Sequence, residues 1–263
     1  AQQLVLPVDR AAVELNPVKI RNSHLDAALF DVASRGFDVT LEIPVRVALF
    51  EVSPTDYVLV MVLHHIAADG LSFRPLARDL LVAYSARSEK SAPAWTPLPI
   101  QYADYALWQR EALGSDEDPR SESSRQINFW RRALADLPDQ LDLPTDRPRP
   151  AIASNHGAKH HFQISERTTR KLNELARSRS VSLFMVLQAA YATLLSRLSG
   201  TSDIAIGAPI GGRGDQALND VIGMFVNTLV LRTEVDPNER FEELLARVRE
   251  SGLSAYGHAD VPF

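Results

Sequence analysis

The chain reads as an α/β fold, a mixed sheet with flanking helices, and three observations predict it. A continuous apolar run, Tyr57-Val58-Leu59-Val60-Met61-Val62-Leu63, has the length and β-branched content of a strand buried on both faces. Val45 to Glu51 is set to pair with it through the turn Ser53-Pro54-Thr55-Asp56. Leu71, Phe73, Leu76, Leu80, Leu81 and Tyr84 then recur at near-helical spacing, which predicts an amphipathic helix from Ser72 to Ala86.

The remaining elements follow in order. Leu4 to Val8 reads as short and extended, and His24 to Arg35 as helical. The proline-bearing connection Ser91 to Pro99 leads to helices at Gln101 to Leu113 and Ser123 to Leu137, with Gly114 to Glu122 as an exposed loop between them. Pro138, Pro144, Pro148 and Pro150 bar regular helix from Leu137 to Ser154 and favour an extended crossing. A junction between two lobes, 1–145 and 146–263, is placed there. The second lobe opens with an expected strand, Ala158 to Ile164, then helices at Glu166 to Arg179 and Ser182 to Leu198, and strands at Ile204 to Gly207 and Phe225 to Arg232. In the last helix Asp236 is the expected cap, Pro237 suits the first helical position, and Glu239 completes a capping box ahead of Phe241, Leu244, Leu245 and Val248.

Composition bounds the function. With 263 residues, 45% hydrophobic and 23% charged, the chain is of ordinary globular type and long enough for one large or two moderate domains. No apolar run approaches the ~20 residues of a membrane span, and Ala1-Gln2-Gln3-Leu4 lacks the basic and apolar regions of a signal peptide, so a cytoplasmic setting without a membrane partner is expected. The absence of cysteine excludes disulfides, thiolate metal sites and a cysteine nucleophile. A net charge of -5 argues against a nucleic-acid partner.

The candidate chemistry sits at the exit of the apolar strand, in His64-His65-Ile66-Ala67-Ala68-Asp69-Gly70. Two imidazoles and a carboxylate at the end of an all-apolar segment need a purpose. If the extended backbone persists, His64 and His65 point to opposite faces, so one faces the site and the other packs or braces. Gly70, with Asp69 before it, favours a chain reversal into the next helix. Adjacent histidines without cysteine, and without a His-Glu-x-x-His pattern, make a metal site unexpected. Gly212-Arg213-Gly214-Asp215-Gln216-Ala217 matches a dinucleotide-type G-x-G-x-x-A, but too few residues follow before the next strand for the required helix, so it reads as a flexible glycine-rich loop. His156, His160 and His161 have no adjacent carboxylate and read as a half-exposed strand edge.

These segments together are recognisable. His64 to Gly70 resembles the His-His-x-x-x-Asp-Gly signature of the condensation domains of nonribosomal peptide synthetases, a motif shared with CoA-dependent acyltransferases. Tyr102-Ala103-Asp104-Tyr105-Ala106-Leu107-Trp108 resembles the family's Tyr-x-Asp-aromatic-Ala-x-Trp motif, and Ile222-Gly223-Met224-Phe225-Val226-Asn227-Thr228 its Ile-Gly-x-Phe-Val-Asn-Thr motif. His258-Ala259-Asp260-Val261-Pro262-Phe263 looks like the start of a further motif, with alanine where glutamine is usual. Leu71 stands where an aromatic residue is more usual.

The resemblance implies two chloramphenicol-acetyltransferase-like lobes in a V-shaped pseudo-dimer, both incomplete here because the family's first and last motifs would lie outside this chain. It implies amide formation between a donor acyl or peptidyl thioester and the amine of an acceptor aminoacyl thioester. Both would be carried on the 4'-phosphopantetheine of partner carrier-protein domains, beside an adenylation domain, in a secondary-metabolite or antibiotic pathway, with no covalently bound cofactor. A thioester is already activated, so the chemistry asks for alignment and proton removal, and an imidazole, ordinarily titrating near ~6.5, suits an amine titrating near ~8. By the family pattern His65 is the base or the group that orients the amine, His64 braces the loop, and Asp69 pairs with an arginine; Gly70 and Asn227 approach the substrate. The arginine is expected in the missing motifs, which would strand Asp69 as an unpaired buried carboxylate with a raised pKa and leave the isolated chain unstable and poorly active. The rival readings are an epimerisation domain, a CoA-dependent acyltransferase and a noncatalytic recruitment module.

Overall fold

Short apolar, β-branched segments hold an extended backbone only with partners, and the first part of the chain finds them in a three-stranded sheet in the order β1-β2-β3. The computed structural model describes residues 3–262 except 12, 14 and 155. β1 (Val18–Lys19) is followed by α1 (Asn22–Ser34), β2 (Val45–Glu51) and β3 (Tyr57–Leu63). β2 and β3 form the expected antiparallel hairpin, in register from Val45 opposite Leu63 to Glu51 opposite Tyr57. Its turn is closed by backbone bonds between Ser53 and Asp56 in both directions, with the Ser53 hydroxyl accepting from Asp56 N–H. β1 runs parallel to β2, Val18 opposite Phe50. Leu4 to Val8 forms no strand; Val8–Arg10 is a single 3-10 turn instead. The expected burial of β3 on both faces is also corrected. It is an edge strand in which Tyr57 and Leu59 are exposed and no residue is buried. A continuous apolar run fixes that a strand forms, but the cover on each face is set by other segments.

α2 (Phe73–Ser88) and α3 (Tyr102–Leu113) complete this part close to their expected bounds. α3 is capped by Asp104, whose carboxylate accepts from Gln101 N–H at 2.8 Å. Its inner face supplies Tyr105 to a cluster with Leu218, Val221 and Phe225.

α4 (Glu122–Ala133) is capped by Ser121, whose hydroxyl accepts from Ser124 N–H. It stops short of Leu137, because Asp136 takes a positive φ of 57° and Arg232 binds the carbonyls of Ala133 and Ala135 at 3.0 and 2.7 Å. The proline-rich crossing is neither helix nor strand, as expected. Ala158 to Ile164 is exposed and forms no strand, since none of the described strands pairs with it and strand propensity alone does not hold an extended segment. α5 (Glu166–Ser178) and α6 (Leu183–Ser199) start at capping serines, Ser165 and Ser182, and α6 ends at Gly200 in the left-handed region, φ 72°.

β4 (Asp203–Ile210) and β5 (Asn227–Glu234) pair antiparallel, Asp203 opposite Glu234 and Ile210 opposite Asn227. α7 (Phe241–Tyr256) follows. Its expected cap is corrected: Asp236 closes a separate turn with Glu239, and the helix starts after Arg240, whose N–H donates to Glu243 at 2.9 Å. The largest core cluster joins Ala176, Met185, Val186 and Ala189 to Leu244, Leu245 and Val248.

By contacts the chain divides into two compact units, Ala1–Ala112 with Gly211–Val226, and Leu113–Ile210 with Asn227–Phe263. The sequence placed a lobe junction in the crossing; the contacts change partners after Ala112, and the stretch between β4 and β5 belongs with the first unit.

Leu245 is fully buried in the second unit's core. Leu245→Ala is expected to cost about 2–5 kcal/mol, read as a lowered urea midpoint of the intact protein; an unchanged midpoint would place the centre of that core elsewhere.

Candidate active site

The last rung of the hairpin is His64, whose N–H donates to Pro44 O at 2.9 Å. The extended backbone ends there, because Ala67 N–H returns to His64 O at 2.9 Å and closes a turn. The turn, rather than strand alternation, separates the two imidazoles. His64 is half-buried, and its Nδ1 accepts from Ile66 N–H at 3.0 Å. That bond makes Nδ1 the unprotonated nitrogen. His65 is exposed and has no hydrogen-bond partner among the described residues. Gly70 begins a 3-10 turn, Gly70–Ser72, without a positive φ, so its backbone freedom is not what reverses the chain. A Cβ built on Gly70 would meet nothing within 4 Å, which leaves its backbone open to approach.

Asp69 is 1% exposed and both of its carboxylate oxygens accept hydrogen bonds. Oδ1 accepts from Ser72 N–H at 2.9 Å, from the Ser72 hydroxyl at 2.8 Å and from Arg213 Nη2 at 3.0 Å; Oδ2 accepts from Phe225 N–H at 3.1 Å. Its own N–H donates to Gly223 O at 3.1 Å. Burial pushes the Asp69 carboxyl up, but the Ser72 hydroxyl, Arg213 and the N–H groups of Phe225 and Ser72 outweigh it and hold the group below the usual carboxylate range. The expectation of a stranded, pKa-raised Asp69 is therefore overturned: its arginine lies within this chain.

That arginine is in the segment set aside as a flexible loop. Arg213 Nη1 donates to Leu218 O and Val221 O, and the guanidinium lies over the Phe225 ring with Cζ 4.0 Å from its centroid. Arg213 Nε is buried without a hydrogen-bond partner among the described residues, as a guanidinium packed against an aromatic face can be. Gly212 adopts φ 61°, and a Cβ there would stand 1.8 Å from Phe225 O. The glycine is thus required by close approach, and the loop is a fixed part of the site. A single arginine between two glycines, a few residues ahead of the Ile-Gly-x-Phe motif, was the available signal.

Tyr102 and Tyr105 hold the other side of the same knot. Tyr102 Oη donates to Met224 O at 2.7 Å, and burial raises its phenol pKa. Its ring covers Gly223, where a Cβ would fall 2.1 Å from Tyr102 Cδ2. Tyr102 and Tyr105 pack on Phe225 with centroids 5.2 and 4.8 Å away. Three separate motifs of the sequence therefore meet on one stretch of backbone, Gly223 to Phe225. Trp108 of the same motif is exposed.

Asn227 belongs to the second unit. Its Nδ2 donates to Ala259 O and Val261 O at 2.8 and 2.7 Å, and its Oδ1 accepts from Thr228 N–H. Gln126 of α4 accepts from the N–H groups of Asp260 and Val261, Trp130 Nε1 donates to His258 O, and His258 stacks on Phe129 at 3.8 Å. The last motif is thereby pinned to α4; Phe263 lies outside the described residues. His156, His160 and His161 are exposed, and no group of three or more His, Asp or Glu among the described residues is placed to hold a metal ion.

A family model described as the condensation domain matches residues 2–263. The chain belongs to the condensation-domain family. This condensation-domain chain is 49% identical over 261 residues to the dimodular nonribosomal peptide synthase of Bacillus subtilis (strain 168), covering 99% of itself and 11% of that relative. It is similar to an X-domain of teicoplanin biosynthesis solved in complex with OxyB, with a TM-score of 0.89 and 36% identity over 96% of this chain and 55% of that one. The first condensation domain of the calcium-dependent antibiotic synthetase, 19% identical, shares the fold with a TM-score of 0.71 over 95% of this chain and 58% of that one. The mixed α/β fold read from the sequence is thus the chloramphenicol-acetyltransferase-like fold of these domains. The chain spans about a tenth of the curated relative's length and just over half of these solved chains.

Asp69→Asn leaves Arg213 buried without a carboxylate and is expected to cost about 3–5 kcal/mol of unfolding free energy at neutral pH. Because the Asp69 pKa is depressed in the folded state, its contribution is fully present above the ordinary carboxylate value of ~3.9 and is lost as pH falls through the lower folded-state value. Urea midpoints of the two proteins should therefore converge on acidification; a gap independent of pH would assign the loss to packing alone.

Proposed function

We propose that this chain catalyses amide formation between two carrier-bound thioesters. The observation that carries the reading is His65: an exposed imidazole without a hydrogen-bond partner among the described residues, on a turn whose far end is anchored by the buried Asp69 knot. The acceptor amine attacks the donor thioester carbonyl, a C–N bond forms, the C–S bond breaks, and the thiol stays on the donor's phosphopantetheine arm. His65 accepts the amine proton or orients the amine by a hydrogen bond to it. His64, whose Nδ1 is engaged by Ile66, braces the turn, and Asp69 positions it without touching substrate. The open backbone at Gly70 suits close approach of a thioester. Asn227 acts through the segment at Ala259 and Val261 that it holds. Donor and acceptor carrier proteins and an adenylation domain are the proposed partners, in keeping with relatives that are multimodular synthetases.

The similarity to an X-domain solved with OxyB favours one second reading, recruitment of a partner enzyme by the same fold. Single-turnover amide formation by the intact protein, with donor and acceptor loaded on carrier proteins, separates the two. Amide that falls about 10²-fold or more in His65→Ala supports the proposal. Undiminished amide in His65→Ala removes His65 from the reaction. No amide, with solvent deuterium entering the donor α-carbon, identifies an epimerase, and no chemistry at all leaves recruitment.

A further inference from the structure

Arginine side chains are seldom buried, yet Arg46, the second residue of β2 and opposite Val62 of β3, has a side chain only 17% exposed. Both terminal nitrogens of its guanidinium are engaged. Nη1 donates to Arg35 O at 2.8 Å and Val32 O at 3.3 Å, and Nη2 donates to Gly36 O at 2.9 Å, so the fork collects the carbonyls left free where α1 ends. The Glu42 carboxylate stands 3.7 Å away and balances the charge. The group lies over Phe37, with Cζ 4.1 Å from the ring centroid. Phe37 in turn meets the His64 imidazole at 6.0 Å between centroids and 86° between planes. His64 then holds Ile66 N–H through Nδ1, inside the turn that carries His65.

We infer that Arg46 and Phe37 are positioning residues for the histidine turn, acting through the orientation of the His64 ring. The end of α1 fixes Arg46, Arg46 fixes Phe37, and Phe37 restricts the imidazole to the rotamer in which Nδ1 faces Ile66. An edge-to-face contact between rings is directional, so it favours one orientation of the imidazole over the others. Only a planar group with in-plane donors and a free face can bind carbonyls and cover a ring together, so lysine is not equivalent to arginine here. Without Phe37 the His64 ring gains rotamers, the bond to Ile66 is lost for part of the time, and His65 is no longer held where its proton transfer occurs. The inference rests on the role of His65 proposed above, but its structural part is measurable without that chemistry.

The test uses the intact protein with Arg46→Lys, Phe37→Leu and Phe37→Tyr. Two quantities are read: the single-turnover amide rate as a function of acceptor concentration, and the rate at which diethyl pyrocarbonate modifies His64, mapped by mass spectrometry. Arg46→Lys and Phe37→Leu are expected to lower the saturated rate about tenfold with the acceptor half-saturation unchanged, as misplacement of a reacting group does. Both should speed modification of His64 several-fold, and Phe37→Tyr, which keeps the ring, should restore both readouts. A lowered rate without faster His64 modification, an unchanged rate in both variants, or a tyrosine variant no better than leucine overturns the inference. Should Arg46→Lys fail to fold, Phe37→Leu decides. Should the unsubstituted protein form no amide, the proposed function fails by itself, and the modification rates alone decide whether Phe37 and Arg46 hold His64.

Discussion

A buried carboxylate is tolerable only where its charge and its lone pairs are all met, and the placement of the histidine turn follows from how Asp69 meets that demand. Its partners come from its own turn and from two distant stretches of the chain: Ser72 ahead of α2, Arg213 between the two glycines, and the backbone of Gly223 to Phe225. Ser72 is the second hub. Its hydroxyl bonds to Asp69, Arg213 and Gly223 within 3.1 Å, so its one proton and its lone pairs are fully committed. Removing any partner leaves a charge or a polar group buried and unpaired, which is far costlier than a lost surface contact. The tyrosines of α3 pack over Gly223 and Phe225 beside this arrangement, and low polarity around a satisfied network strengthens it.

The two histidines illustrate how one local pattern serves two physical roles. His64 is committed through its ring contact with Phe37 and at Nδ1, while His65, one residue later, is exposed and has no hydrogen-bond partner among the described residues. The same division separates Asn227 from Gly70. The asparagine amide is consumed in holding Ala259 and Val261, whereas the glycine leaves open space beside its backbone.

Much of this was legible in the residues. The hairpin, α1, α2, α3, α5 and α6 follow from apolar periodicity and from proline-bearing breaks, because those signals act locally. What failed was non-local. Phe225 is apolar and β-prone and was read into a strand, yet it lies in the core beneath Arg213, and β5 starts at Asn227. Ala158 to Ile164 has strand composition but no described strand pairs with it. Asp236-Pro237 carries good capping chemistry and still loses to Arg240 and Glu243, since Glu239 is occupied by Asp236 and Arg247. Arg213 was hidden by a motif that invites comparison with nucleotide-binding loops; only the contact of Gly212 with Phe225 shows why glycine flanks it.

The route of the chain through the first unit has a consequence for anyone recombining such domains. Asp69 precedes the proline-rich crossing and Arg213 follows it, so a chimera spliced at residues 137–154 inherits the two charges from different parents. A junction chosen for its lack of helix and strand is thus not neutral. It divides one ion pair, its serine and its aromatic cover between two ancestries, and the hybrid keeps a intact knot only where Ser72 and Tyr102 from one parent match Gly223 and Phe225 from the other.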